Sequence, residues 1–272
     1  MKEGATMEMR TFLCSDIHGQ YDAWMVGLEK SGFSPDSGDR LIVIGDIMDR
    51  GPRSKDCFLF LQKLRETYPD QIFYLRGNHE QMFLDFLKAE DPFSKNVSAY
   101  LWFLNGGWTT IRSFLEIRDP NRKYTLEEIA RELQETVPGL LQILEGLPYY
   151  YAERDAVFVH AGFAPDTPLV EQKPEDMLWI REEFFDHFHP VKNDPLEGKW
   201  IVHGHTPVIL FSDYEGEGLY IRPPRICIDG GCAAQQNLFV VEWPLLTTTI
   251  VPVGNPNSWK IHRPDFNIPG NH

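Results

Sequence analysis

The sequence predicts an α/β (α+β) fold, and three observations support this class. Short apolar runs rich in β-branched residues, such as LIVI at residues 41–44, are typical of strands buried on both faces of a sheet. Segments with helical spacing of apolar residues, such as residues 54–66, alternate with these runs. The 272 residues contain no Pro/Gly/Ser-rich linker, so we expect a single domain over residues 1–272.

Three strand–motif–helix units open the chain. In each unit a short apolar strand ends in a loop of polar residues, and a segment with helical spacing follows. The first helix is predicted to end near Gly32, which suits a helix C-cap. We predict strands at residues 11–14, 41–44 and 72–75, the motifs SDIHG (15–19), GDIMDRG (45–51) and RGNHE (76–80), and helices over 22–30, over 54–66 and from RGNHE onward.

The strand signal disappears over residues 94–148, which we interpret as a helical insertion broken at Asn105-Gly106-Gly107. Thr125 and Glu128 have the spacing of a capping box. We expect most of the insertion to serve packing, with the glycine break as a candidate contact to a ligand cleft. Strands resume at residues 156–159, 200–202, 225–228, 238–241 and 248–253, which gives a core of about residues 10–253 and an irregular surface tail over 254–272.

Composition excludes several classes of function. The formal charge of −14 and the isoelectric point near 5.1 argue against general affinity for nucleic acid or anionic membrane. The four cysteines form no CxxC pair and are too few for a disulfide framework. No apolar run reaches the length of a membrane span, and we expect a cytoplasmic protein. The oligomeric state stays open.

Five motifs at strand ends supply carboxylate, imidazole and amide side chains that we expect to gather at one edge of a sheet. These ligand types suit a divalent ion, and no thiol is among them. A lone histidine is more often a packing residue, but the repeated strand-end position favours a ligand role here. Six ligands are too many for one catalytic ion and fit two ions with one bridging carboxylate. The candidates are Asp16, His18, Asp46, Asn78, His160 and His205, with Asp46 as the bridge.

In this order, SDIHG, GDIMDRG, RGNHE, HAG and HGHTP resemble the motifs of the phosphoprotein phosphatase family of metallophosphoesterases, particularly its compact bacterial serine/threonine phosphatases. The resemblance runs from about residue 10 to 240. It implies a calcineurin-like fold, in which a central β-sandwich is flanked by helices and carries a dinuclear centre at its edge. It also implies that Asp16 and His18 hold one metal and that Asn78, His160 and His205 hold the other. His203 is the weaker candidate within HGHTP.

The resemblance further implies a mechanism in which a hydroxide bridging the two metals attacks phosphorus. His79 would protonate the leaving alkoxide, and Asp49 would orient the imidazole. Arg50 and Arg181 would bind the phosphoryl oxygens, although Arg181 rests on the short pattern Trp-x-Arg. Manganese is the expected metal, with iron, zinc, nickel and cobalt as alternatives.

We therefore expect hydrolysis of phosphoserine and phosphothreonine in proteins, with a phosphoprotein or a small phosphoester as substrate. The alternative is a symmetrical diadenosine tetraphosphatase, a subfamily that typically lacks the second Asp of GDxxDRG and the Thr-Pro after the GH pair. This chain has Asp49 and Thr206-Pro207, although Arg53, Arg222 and Arg225 could bind a polyphosphate. An inactive metal-binding module is the remote alternative. Such a protein should have lost the acid, the bridging carboxylate or the phosphate-binding arginines first, and all of these are present.

Overall fold

The computed structural model describes residues 9–115, 123–266 and 268. The strands within these ranges are β1 (Thr11–Cys14), β2 (Arg40–Val43), β3 (Ile72–Tyr74), β4 (Tyr150–Ala152), β5 (Ala156–Val159), β6 (Trp200–His203), β7 (Tyr220–Arg222), β8 (Arg225–Cys227), β9 (Asn237–Trp243), β10 (Thr247–Pro252) and β11 (Lys260–His262). The helices are α1 (Tyr21–Ser31), α2 (Ser54–Thr67), α3 (Asn78–Lys88), α4 (Pro92–Leu104), α5 (Gly107–Leu115), α6 (Leu126–Thr136), α7 (Leu140–Glu145), α8 (Pro174–Trp179) and α9 (Glu182–His187). None of these helices is long and apolar enough to cross a membrane.

The strands form two sheets, each built around three parallel strands. The six-stranded sheet has the order β11-β10-β9-β1-β2-β3, and β1, β2 and β3 are mutually parallel. The five-stranded sheet has the order β4-β5-β6-β8-β7, with β5, β6 and β8 parallel. The expected single sheet edge is therefore replaced by two edges, because SDIHG, GDIMDRG and RGNHE follow strands of the first sheet while HAG and HGHTP follow strands of the second.

The two sheets pack face to face, and helices cover both outer faces. Along β1, Leu13 belongs to the core between the sheets, whereas Phe12 and Cys14 belong to the core under the helices. In β5, Phe158 points between the sheets and Val157 points toward α8 and α9. This alternation explains why both strands are apolar throughout, since each face of each strand is buried. The predicted β-sandwich flanked by helices is confirmed.

Three short strands differ from the sequence expectation. β11 lies within the segment predicted to be an irregular tail, so that prediction was wrong for Lys260–His262, which pairs antiparallel with β10. β4 and β7 were not predicted. All three strands lie at a sheet edge and are partly exposed, so their sequences lack the apolar alternation that marks an interior strand. The division into core, insertion and tail stays a prediction.

Candidate metal centre

Backbone hydrogen bonds join the motif loops within each sheet. The N–H of His18 donates to the carbonyl of Asp46 at 2.9 Å, and the N–H of Gly204 donates to the carbonyl of His160 at 2.9 Å. Side chains join the two sheets as well, since Nδ1 of His160 donates to the carbonyl of Ile44 at 3.0 Å. The five motifs therefore meet in one cleft where the ends of both sheets converge.

The backbone of this cleft is strained. Six of the predicted site residues adopt the left-handed conformation, a region that Asp and His tolerate better than most residues but that still costs roughly 1–3 kcal/mol at each position. Such strain persists where the surrounding structure fixes a side chain for function. The residues, with their φ angles, are Asp16 (50°), His18 (46°), Asp46 (55°), Asp49 (68°), Arg50 (65°) and His205 (66°).

Glu80 fixes the loop that carries Asp46. Its side chain is fully buried and accepts three backbone hydrogen bonds, from Asp46 and Gly77 at 2.8 Å each and from Ile47 at 3.0 Å. Gly45 allows this close packing, because a Cβ there would lie 2.6 Å from the backbone of Gly77. The sequence analysis assigned no structural role to Glu80. Its place at the third position of α3, where a capping box has its Glu, could have indicated one.

Asp46 lies at the centre of the cleft. Its Oδ1 accepts a hydrogen bond from the backbone of His79 at 3.0 Å. Its Oδ2 lies 3.5 Å from Nε2 of His160, 3.6 Å from Nε2 of His18 and 3.9 Å from Nε2 of His79. These distances are long for hydrogen bonds, but two ligands that bind one ion at about 2.0–2.2 Å lie roughly 3–3.5 Å apart. The geometry suits a carboxylate shared between two ions.

Two groups of buried side chains could each hold an ion, and they share Asp46. The first contains His18 and His79, and the second contains His160 and His205, with ligand atoms within 4.8 Å of one another in each group. Oδ1 of Asn78 lies 2.9 Å from Nε2 of His160 and 3.1 Å from Nδ1 of His205, which adds an oxygen to the second group.

Asp16 and His79 are placed differently from the assignment implied by the motifs. Asp16 belongs to neither group, and its Oδ2 accepts a hydrogen bond from the backbone of His205 at 2.9 Å. His79, expected to act as the acid, lies within reach of the first group. The division of ligands between two metals therefore stays a prediction.

The protonation chemistry of these residues fits divalent ions. Burial lowers the pKa of His18 and of His205 well below the ordinary value, so both imidazoles stay in the neutral form that binds metal. Nδ1 of His18 donates to the carbonyl of Met48 at 2.8 Å, which directs Nε2 toward Asp46. Nε2 of His205 is buried and has no hydrogen-bond partner in the described part of the chain. Burial, and then the charge of Glu80, raises the pKa of Asp46 well above its usual range, a penalty that bound cations would offset.

His79 and Asp49 form a buried pair beside the metal ligands. Nδ1 of His79 donates to Oδ2 of Asp49 at 2.7 Å, so Nε2 faces the cleft. Asp49 also accepts from Nε1 of Trp102 at 2.8 Å and from Oγ1 of Thr110 at 2.6 Å. Burial raises the pKa of Asp49 to about 7, and the hydrogen bonds from Thr110 and Trp102 oppose this rise. Trp102 and Thr110 belong to the helical segment that the sequence analysis assigned mainly to packing.

The two predicted phosphate-binding arginines approach the cleft from different elements. The backbone N–H of Arg50 donates to the carbonyl of Gly106 at 3.2 Å, and its Nε donates to the carbonyl of Asn105 at 3.3 Å. The glycine break therefore contacts Arg50, and its contact with a ligand cleft stays a prediction. Nη1 of Arg181 donates to Oγ1 of Thr206 at 2.7 Å. Partial burial lowers the pKa of Arg181, and the nearby charges of Asp16 and Asp229 act in the opposite direction.

Two further residues complete the surroundings. His203 is buried against Phe184 and Phe185, with its Nδ1 3.1 Å from the carbonyl of Gly204, and it takes no part in either metal group. Asp229 was not predicted as a site residue. Burial, and then the neighbouring Asp16, raises the pKa of Asp229 well above its usual range. Its position two residues after β8, in the same strand-end context as the other motifs, was the signal for it.

Comparison with known proteins places this cleft among phosphoesterases. The family model of calcineurin-like phosphoesterases matches residues 9–229. The asymmetrical bis(5'-nucleosyl)-tetraphosphatase PrpE of Bacillus velezensis is 28% identical over 275 residues, which cover 93% of this chain and 96% of that protein. Serine/threonine-protein phosphatase 1 of Salmonella typhimurium is 30% identical over 213 residues, which cover 75% of this chain and 81% of that protein.

Solved structures show the same fold. A crystal structure assigned provisionally as a diadenosine tetraphosphatase matches with a TM-score of 0.62 at 18% identity, over 90% of this chain and 94% of that one. A protein serine/threonine phosphatase from Saccharomyces cerevisiae matches with a TM-score of 0.52 at 16% identity, over 98% of this chain and 83% of that one.

Proposed function

Because the chain belongs to the calcineurin-like phosphoesterase family, whose members use divalent metal ions, we propose that it is a metal-dependent phosphomonoesterase acting on phosphoserine and phosphothreonine in proteins. The observation that carries this proposal is the buried pair of His79 and Asp49 beside the metal ligands. An alkoxide leaving group needs a proton, whereas a nucleotide leaving group is stable without one. A positioned acid is therefore most useful to an enzyme that cleaves phosphoesters of serine or threonine.

The chain's own residues would divide the remaining work. Arg50 and Arg181 would bind the phosphoryl oxygens with their planar guanidinium groups and orient phosphorus for attack. Nε2 of His79 would hold the proton given to the leaving oxygen, and Asp49 would fix the imidazole by accepting from Nδ1. Two divalent ions, when bound by Asp46 and its neighbours, would supply Lewis acidity and an activated water.

We propose manganese as the metal, because the mixed carboxylate, imidazole and amide donors suit it. Chelation should abolish hydrolysis of p-nitrophenyl phosphate, and added manganese should restore it. Full activity in a preparation shown by elemental analysis to be metal-free would contradict the metal requirement.

A dinucleoside polyphosphate hydrolase is the second candidate. The likeness to PrpE favours it, since that protein aligns over almost the whole of both chains. The sequence analysis considered the symmetrical enzymes, whereas PrpE is named as an asymmetrical one. Initial rates on a panel of phosphopeptides and on diadenosine tetraphosphate, under one metal condition, distinguish the candidates. Faster turnover of diadenosine tetraphosphate than of every phosphopeptide would overturn the first proposal.

The substitution His79→Asn tests the acid directly. We expect it to keep both metals but to lose roughly 10²–10⁴ in turnover on phosphoserine peptides, the usual contribution of a general acid. The loss should be smaller on p-nitrophenyl phosphate, whose leaving group hardly needs a proton. Equal losses on both substrates, or loss of a metal ion, would mean that His79 is a ligand, as its proximity to Asp46 also allows.

We also propose a cytoplasmic location and substrates other than nucleic acid or membrane lipid. The four cysteines are free and buried, which suits a reducing compartment. The net charge of −14 disfavours binding to polyanions outside the cleft.

A further inference from the structure

Helix α4 presents an apolar face to solvent. Its buried face carries Ala99 and Trp102, which pack into the core under the helices. Its opposite face carries five large apolar side chains that are half-exposed or more exposed in the described structure. We call these residues the outer face of α4, namely Phe93, Val97, Tyr100, Leu101 and Leu104, which are 78%, 44%, 63%, 50% and 67% exposed.

The spacing of the outer face is that of a helix-packing seam. Phe93, Val97, Tyr100 and Leu104 follow one another at intervals of four, three and four residues. Intervals of three and four residues place successive apolar side chains along one side of a helix, where they can pack against a second helix. The face therefore fits a helix better than an extended peptide or a flat surface.

The same four residues are arranged symmetrically along α4. In an antiparallel pair of identical helices centred between Val97 and Tyr100, Phe93 lies opposite Leu104, and Val97 lies opposite Tyr100. A cavity of about 290 Å³, lined by Met82, Phe93, Val97 and Leu101 among others, opens at the Phe93 end, where this pairing places Leu104 of the second helix. The face thus complements itself under two-fold symmetry.

Charge also favours a second copy of the chain as the occupant. A protein with a net charge of −14 repels its own copies over most of its surface. Over Pro92–Leu104 the sequence contains one charged residue, Lys95, and its ammonium group is buried on the carbonyl of Phe86 at 2.7 Å. The outer face itself therefore brings no carboxylate to a second copy, and the exposed Asp85 lies at its Phe93 end, beside the cavity there.

The area is sufficient for a specific contact. Large apolar and aromatic side chains at these exposures offer roughly 500–600 Å² on each copy, so the seam and its immediate surroundings reach about the 1,200 Å² in total at which specific interfaces begin. The contact therefore lies at the lower limit of specific interfaces.

From the spacing, the symmetry and the absence of exposed charge along α4, we propose that two copies of this chain associate through the outer face of α4, with the two α4 helices packed antiparallel about a two-fold axis.

The experiment is sedimentation velocity of the metal-loaded protein across the micromolar range. The expected mass is twice the 31.5 kDa of one chain. Tyr100→Glu places a carboxylate near the axis from each copy and should give the single-chain mass. Val170→Glu is the matched control, because Val170 is the most exposed large apolar residue of the described chain, at 90%, and lies outside α4; it should remain dimeric. Circular dichroism of both variants checks that they are folded.

A cross-link tests the helix pairing itself. A mixture of the single variants Val97→Cys and Tyr100→Cys should form a disulfide-linked dimer under mild oxidation, since antiparallel packing places position 97 of one copy opposite position 100 of the other, and neither variant can close a disulfide between these positions within one chain. The four native cysteines are buried and should give no such product. A single-chain mass for the unmodified protein throughout the micromolar range, a dimeric Tyr100→Glu variant, or no cross-linking in the mixture of the two single cysteine variants would overturn the proposal.

Discussion

The side chains of the cleft are aimed by backbone conformations that few residues tolerate. Asp46 and Asp49 both have positive φ, and both accept hydrogen bonds that hold their oxygens in place. Substitution of either by Asn should keep the backbone, since Asn tolerates the left-handed region. Substitution by a β-branched residue should disturb the loop as well as the chemistry.

Arg181 provides a prediction at this scale. Its guanidinium donates to Thr206, the neighbour of His205, and lies beside the carboxylate of Asp16. Arg181→Ala should weaken inhibition by inorganic phosphate by about tenfold or more while metal content stays unchanged, because a charge-assisted contact is worth roughly 1.5–3 kcal/mol. Inhibition constants and elemental analysis measure the two quantities. Arg154→Ala, which removes an exposed arginine that lies 3.8 Å from Asp155, serves as the control. An unchanged inhibition constant would remove Arg181 from the phosphate site.

The sequence could predict which side chains converge in the cleft, but not the hydrogen bonds and buried charges that keep them in place. Asp46, His160 and His205 stand out because each follows an apolar strand. Asp229 has the same strand-end signal and Glu80 has the capping-box position in α3, yet their partners are backbone groups and buried charges that a pattern of residue types does not reveal.

At the scale of elements, α4 and α5 support the proposed acid, His79, through Asp49. Trp102 of α4 and Thr110 of α5 both donate to the carboxylate of Asp49. The sequence analysis found these helices but assigned them mainly to packing, because contacts across 53 and 61 residues leave no trace in local periodicity. Only the glycine break at Gly106 signalled a contact with the cleft.

Trp102→Phe tests this support. The variant keeps an aromatic ring stacked on Phe83 but removes the N–H donor to Asp49. We expect turnover of phosphoserine peptides to fall about tenfold, with a shifted pH profile and a smaller change on p-nitrophenyl phosphate. Trp108→Phe, on the partly exposed face of α5, is the matched control. A purely structural role would lower both substrate rates equally and leave the pH profile unchanged.

At the scale of the whole molecule, buried histidines make stability depend on pH. Burial lowers the pKa of His203 to about 4, whereas the unfolded chain titrates near 6.5. Below pH 6.5 the unfolded state therefore binds a proton that the folded state does not, and stability falls as the pH approaches 4. Between pH 6.5 and 4, the free energy of unfolding should fall less steeply in His203→Phe, by about 1.4 kcal/mol per pH unit. For the metal-free protein, this appears as a flatter plot of the urea midpoint against pH. An identical slope in the variant would contradict the assignment.

The arrangement of two sheets was less accessible to sequence reasoning than the elements. Interior strands such as β1 and β5 were found because both faces are apolar, while the partition of parallel strands between two sheets follows from long-range pairing. The resemblance to known phosphatases supplied the sandwich, which the strand patterns alone did not.

The ligands of the cleft come from both sheets, and this gives bound ions a second consequence. Asp16 and His205, which touch across the cleft, are 189 residues apart in the chain. Ions held by ligands from both sheets would act as a cross-link that closes a loop of this length, and cross-links over about 100 residues stabilise proteins by roughly 4–5 kcal/mol in the chain-entropy model. Loss of metal would then abolish activity and also remove the link between the two sheets at that edge. On removal of metal, the amide hydrogens near the ends of β1 and β6 should therefore be the first in the two sheets to exchange faster.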